Sequence, residues 1–156
     1  MREKIKDKGR LEHILNAINT LLTYKDRYHF EDIKDDPIVF FGFVKHVEII
    51  GEAVYMLTKE FRAQHPEIEW DVIENMRHVL VHGYYTIKPQ QVWDTIETDI
   101  PTLKPEIERL IKEEEENLKK LLGLDVQIVL QKKEAGKITI SFHNQEEYQR
   151  FINSLK

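Results

Sequence analysis

Apolar residues at Leu11, Ile14, Leu15, Ile18, Leu21 and Leu22 recur at three-and-four spacing, which predicts an amphipathic helix from Leu11. A polar segment, Tyr28 to Asp35, follows it. Asp36-Pro37 then reads as an N-cap with proline in the first helical position. A second helix is predicted from there to about Arg62, its stripe made of Phe40, Phe41, Val44, Val47, Ile50, Val54 and Leu57. Gly42 and Gly51 inside it either allow close helix contact or cost stability. His65-Pro66 marks a loop, because the residue before proline is pushed out of helical geometry. A third helix is predicted from Trp70 to about Val81, stopped by Gly83. After Lys88-Pro89, the residues Val92, Trp93, Ile96 and Ile100 resume helical spacing. Pro101 lies within the continuing pattern of Leu103, Ile107, Leu110 and Ile111, so a kink or break is expected there. The Glu113 to Glu116 run reads as a solvated helix face.

Near Gly123 the period changes. Val126, Ile128 and Leu130 alternate with other residues, as do Ile138, Ile140 and Phe142, and two strands are predicted. The intervening Lys132 to Lys137 suits a hairpin loop. Asn144, with Glu147 three residues on, resembles a capping box opening a last helix that carries Tyr148, Phe151, Ile152 and Leu155. The fold class is therefore mainly α, a helical bundle over residues 1–120 followed by a small ββα unit over 121–156. A unit of about 35 residues is too small to be comfortable alone, and pairing with a second copy would remove its exposed strand edges.

Composition narrows the classes. At 156 residues and 41% hydrophobic, the chain suits one domain with a small appendage and has enough apolar side chains for a core. The absence of cysteine excludes a disulfide framework, a thiolate metal site and a cysteine nucleophile, and it fits a reducing compartment. The N-terminus is charged with no apolar segment after it, and no run of about 18 apolar residues occurs anywhere. A cytoplasmic protein with no membrane contact is expected. A net charge of -5 argues against a broad, non-specific DNA binder and leaves room for one small cationic site.

That site is the segment from Asn75 to Tyr85. Arg77 precedes His82 by five residues, a turn of about 500°, so the two lie about 140° apart around the axis and the long arginine can curl toward the histidine. RNA cleavage by its own 2′-hydroxyl needs a base for the hydroxyl proton and a cation for the phosphorane. Histidine changes charge near neutral pH, and guanidinium grips phosphate oxygens bidentately without losing its charge. Spacing alone also allows a bland reading, in which an arginine and a histidine satisfy carbonyls at a helix C-terminus and Tyr84 and Tyr85 simply pack. His78 and His82 are four apart, a spacing able to chelate zinc. No third ligand is evident, the HExxH pattern is absent, and His13, His29, His46, His65 and His143 show no ligand spacing, so neither metal nor cofactor is expected.

The blocks RLEHIL, VEIIGEAVYMLTKEFRAQHPEIEW, MRHVLVHGYY and VWDTIETDIPTLKPEIE, in that order from about Leu11 to Leu110, resemble the HepT branch of the HEPN superfamily. Arg77, His82 and Tyr84 match its motif of arginine, four to six residues, histidine, one residue and tyrosine. The resemblance implies a four- to five-helix bundle that dimerises so that two motifs face one another across an RNA-cleaving cleft. It implies a metal-independent endoribonuclease toxin, inhibited by a partner nucleotidyltransferase antitoxin of the MNT type that AMPylates the motif tyrosine, here Tyr84. The position after the motif arginine is often asparagine in the family and is His78 here, which donates a hydrogen bond as asparagine would, joins the acid–base work, or faces solvent. Glu52 is expected to orient His82 or Arg77, with a structural ion pair as the alternative. Tyr85 completes the set of supporting residues.

The segment ENLKKLLGLDVQIVLQKKEAGKITISFHNQEEYQRFINSLK resembles the C-terminal dimerisation module of ParB-type partition proteins. That implies a homodimer or higher homo-oligomer, with Lys132, Lys133 and Lys137 at the hairpin positions that touch DNA in that family. Beside the ribonuclease stand two other readings, a catalytically silent HEPN dimer acting as a nucleotide- or protein-binding platform and a dimeric adaptor assembled through its tail.

Overall fold

A computed structural model describes residues 2–83, 85–130 and 136–154. Tyr84, Lys132 and Lys133 lie outside the described residues. The chain divides into two compact units, Met1–Glu108 and Arg109–Lys156. Among the described residues no helix is long and apolar enough to cross a membrane.

The first unit is helical. Helix α1 spans Arg2–Lys25, α2 Phe30–Asp35, α3 Pro37–Tyr55, α4 Lys59–Gln64, α5 Trp70–His82 and α6 Pro89–Asp94. A π-helical segment, Thr95–Asp99, follows, and α7 begins at Ile100. Helix α3 is the centre of the unit and packs against both α1 and α5. Its stripe of Phe40, Phe43, Val44, Val47, Ile50 and Val54 is buried, as are Leu11, Ile14, Ile18 and Leu21 of α1. Trp93 of α6 closes this core, its ring centroid 6.3 Å from Phe43 and 6.5 Å from Phe30. Ile96 is completely buried beside it in the chain.

Helix α1 begins at Arg2, nine residues before Leu11, Phe41 of the predicted stripe is exposed while Phe43 is buried, and three further local features differ from the sequence expectation. The polar segment before Pro37 contains the one-and-a-half-turn α2, anchored by Ile33 at 1% exposure and opened by the bond from the His29 amide to Asp32 Oδ2 at 2.8 Å. The predicted long second helix is interrupted at Met56–Thr58, and Thr58 opens α4 by accepting the Phe61 amide at 3.2 Å. The reason lies far off in sequence: the buried Asp7 carboxylate accepts the Thr58 amide at 2.8 Å and its hydroxyl at 2.7 Å. At Pro101 the helix is not broken. The Ile100 amide bonds back to the Thr95 carbonyl, five residues away, so the turn widens just before the residue that lacks an N–H. The expected N-cap at Asp36 is present, its Oδ1 accepting the Ile38 and Val39 amides at 2.9 and 3.2 Å.

The Asp7–Thr58 pair ties α1 to the start of α4, and removing the carboxylate leaves two donors without an acceptor in a partly buried place. Asp7→Ala is expected to lower the unfolding free energy by about 2 kcal/mol in urea titration, and Asp7→Asn, which keeps one acceptor oxygen, by about half of that. An unchanged midpoint in Asp7→Ala would show that the bond carries no stability.

In the second unit α7 runs on to Leu122, β1 spans Asp125–Leu130, β2 Gly136–Ser141 and α8 Gln145–Ser154. Gly123 ends α7 with φ of 61°, its amide bonded to the Lys119 carbonyl at 2.8 Å, a left-handed cap that glycine adopts without strain. The two strands pair antiparallel with Val126 opposite Ile140 and Ile128 opposite Ile138. Asn144 caps α8, its Oδ1 accepting the Glu147 amide at 2.9 Å, while the Glu147 carboxylate accepts the His143 amide at 2.8 Å, one residue earlier than in a standard box. The acidic run is not wholly a solvated face, since Glu114, one turn after Leu110 on the apolar stripe, is only 7% exposed.

Candidate active site

Helix α5 is anchored at both ends. The indole of Trp70, at its start, is buried against Phe61 and donates to the His65 carbonyl at 2.8 Å. Leu80, near its end, is buried too. Arg62 of α4 pairs with Glu74 and fixes the first half of the helix from a second direction. Between these points α5 meets α3 at Gly51, where a Cβ would overlap that of Arg77 and lie 3.1 Å from the Ile73 carbonyl oxygen. Glycine thus brings the two backbones close at the residue that carries the motif arginine.

From that contact the Arg77 side chain runs along α3. Its buried Nε faces Glu52 Oε2 in an ion pair, and Cζ lies 5.2 Å from the centroid of the Tyr55 ring. Of the two residues Glu52 was expected to orient, it meets Arg77. Beyond this ion pair and the Tyr55 ring, the Arg77 side chain takes no partner among the described residues. Tyr55 was not singled out by sequence, because nothing in the spacing of a helix-end tyrosine indicates which cation will lie over it.

His82 is exposed in the last turn of α5, and its ring lies against that of His78 with centroids 4.6 Å apart. The two imidazoles are together, whereas no contact joins either of them to Arg77 among the described residues. His82 stands five residues beyond Arg77, a rise of about 7.5 Å along the axis. Gly83 ends the helix with φ of -107°, outside the left-handed region. Its smallness serves close approach instead, since a Cβ there would come within 2.7 Å of the Val79 carbonyl oxygen and 3.2 Å of Thr86 Oγ1. The Thr86 amide and hydroxyl both donate to the Gly83 carbonyl, at 2.8 and 2.9 Å, closing a tight turn. Tyr85, on that turn, is 77% exposed. Among the described residues no group of three or more His, Cys, Asp or Glu side chains is gathered as a metal-ion ligand set.

Around the motif the outward side of α5 is apolar as well as basic. Val72, Val79 and Val81 are exposed on the same short helix as His78 and His82.

Comparison with known proteins bears on both units. The model of the ribonuclease HepT-like family matches residues 14–110, and that of the ParB dimerisation domain matches residues 104–156. A provisionally named RNase of Caldanaerobacter subterraneus subsp. tengcongensis is 38% identical over 104 residues, covering 67% of this chain and 93% of that protein. "Probable ribonuclease HepT" of Thermococcus cleftensis is 36% identical over 105 residues, 67% of this chain and 96% of its own. No solved structure matches the chain. Both relatives are matched over nearly their whole length, and on the family match over residues 14–110, the stretch that carries α3, α5 and the Glu52–Arg77 pair, this chain belongs to the HepT-like ribonuclease family.

Proposed function

We propose that the chain is a metal-independent endoribonuclease of the HepT toxin type. The observation that carries the proposal is one arginine ion-paired through Nε with Glu52, its guanidinium otherwise without a polar partner among the described residues, on the helix that ends in an exposed histidine. His82 takes the proton of an RNA 2′-hydroxyl, and the freed oxygen attacks the adjacent phosphorus. Arg77 holds the phosphorane oxygens through its Nη donors as their charge grows. The 5′-oxygen of the next nucleotide leaves with a proton, which an imidazolium supplies. His78, in ring contact with His82, is placed to exchange that proton with it. The products are a 2′,3′-cyclic phosphate and a free 5′-hydroxyl.

The active form is a homodimer in which α5 of one copy faces α5 of the other. The exposed valines of α5 support this, because apolar residues beside a polar site on a short helix suit an isologous contact that brings two motifs together. The ββα tail adds a second self-association surface of the ParB type, consistent with the family match over 104–156. Tyr84 is the residue an antitoxin nucleotidyltransferase modifies with AMP. Only one residue separates Tyr84 from His82 in the sequence, and an adenylate adds negative charge close to the motif and repels the anionic substrate.

Purified protein incubated with total RNA in excess EDTA tests the reading. Fragments ending in 2′,3′-cyclic phosphate are expected. Intact RNA after incubation with folded, unmodified dimer would reject the enzyme and leave the silent binding platform.

A further inference from the structure

Arg77 is gripped in three places by residues within one turn and a half of α3. Gly51 receives its Cβ, Glu52 meets its Nε, and Tyr55 lies beneath its guanidinium carbon. The first two contacts fix where the side chain starts and one edge of its head. Neither prevents the guanidinium from rotating about its long axis, and the tyrosine ring supplies the missing face. Tyr55 is 52% exposed, so core packing does not account for its place. It closes α3, just before the Met56–Thr58 break, where the helix end leaves the ring beside α5.

We infer that Tyr55 is a positioning residue for Arg77, a cation–π platform that holds the guanidinium plane so that both Nη groups face the scissile phosphate. The inference rests on the proposed ribonuclease function for its catalytic consequence. An arginine already ordered on both edge and face loses less freedom when it takes up phosphate, and a bidentate grip depends on the plane being right. The ring does this work and the hydroxyl does not, so phenylalanine should substitute and an aliphatic residue should not.

The experiment uses the full chain and two variants, Tyr55→Phe and Tyr55→Leu, on a single-stranded oligoribonucleotide in EDTA. Tyr55→Phe should stay within about twofold of the parent, and Tyr55→Leu should lose about three- to fivefold in kcat at nearly constant KM, the scale of an exposed cation–π contact. The Arg77 Nε–Hε resonance gives an independent readout. It should show a ring-current displacement in the parent and in Tyr55→Phe that disappears in Tyr55→Leu. An unchanged kcat in Tyr55→Leu, or a resonance indifferent to that substitution, overturns the inference. If the parent itself cleaves no RNA, the ribonuclease reading fails separately. The resonance then still decides the contact, its displacement upholding the platform and its absence removing it.

Discussion

His82→Ala is expected to abolish most metal-free RNA cleavage, with a fall of about 10²- to 10⁴-fold in kcat, the range general acid–base catalysis supplies. Arg77→Ala should fall by about 10²- to 10³-fold, comparable to the loss of a strong charge-stabilising donor. The two effects should not multiply in the double variant, because base and cation act on one transition state. Neither change should unfold the protein. His82 is exposed, and removing Arg77 leaves behind Glu52, a carboxylate about half exposed that water can solvate. Arg77→Lys is the more instructive variant. It keeps the charge and loses the planar fork, the Nε contact to Glu52 and much of the fit to the Tyr55 ring, so a loss of about tenfold or more is expected. Thermal melting checks the fold and single-turnover cleavage checks the chemistry. Parental activity in His82→Ala would remove that residue from the mechanism.

The contrast between what spacing revealed and what it hid follows the range of the interactions. Helix α1 was legible from Leu11 on because its buried residues recur locally, α5 because His65-Pro66 and Gly83 bound it, and Asp36-Pro37 announced α3 through a cap made with amides two and three residues on. The break before α4 was not legible. The apolar pattern continues through Leu57 and Phe61, while the bond that stabilises the turn comes from Asp7, 51 residues away. Helix α2 escaped notice because six residues with a single buried side chain display no period. The site divides in the same way. Arg77 and His82 were found as a motif within one helix, and Glu52 as a carboxylate on the neighbouring one. That Glu52 meets Arg77, and that Tyr55 lies beneath it, depend on how α3 and α5 approach, which no window of sequence contains.

Gly51→Ala and Gly42→Ala, two changes of the same kind in one helix, should have opposite signs. Sequence allowed each glycine either close contact or a cost in helix stability, and the surroundings separate them. A Cβ at Gly42 meets nothing within 4 Å, so alanine there should stabilise α3 by up to about 1 kcal/mol through its better helix propensity. At Gly51 the added carbon overlaps the Arg77 Cβ and presses on the Ile73 carbonyl, atoms of backbone or adjoining it that cannot swing aside. Relief requires α5 to move away from α3. The overpacking cost of about 1–3 kcal/mol outweighs the propensity gain, and a net loss of about 1–2 kcal/mol in urea titration is expected. The effect on cleavage should be larger than the effect on stability, because the displaced residue is the one proposed to hold phosphate. A shift of about 1 Å there costs on the order of 10²-fold in rate. Cleavage should therefore fall even where Gly51→Ala remains folded, with Gly42→Ala as the matched control. Equal stability and equal activity in the two variants would mean that α5 does not lie as close to α3 as Gly51 permits, and the Glu52–Arg77–Tyr55 arrangement would lose its foundation.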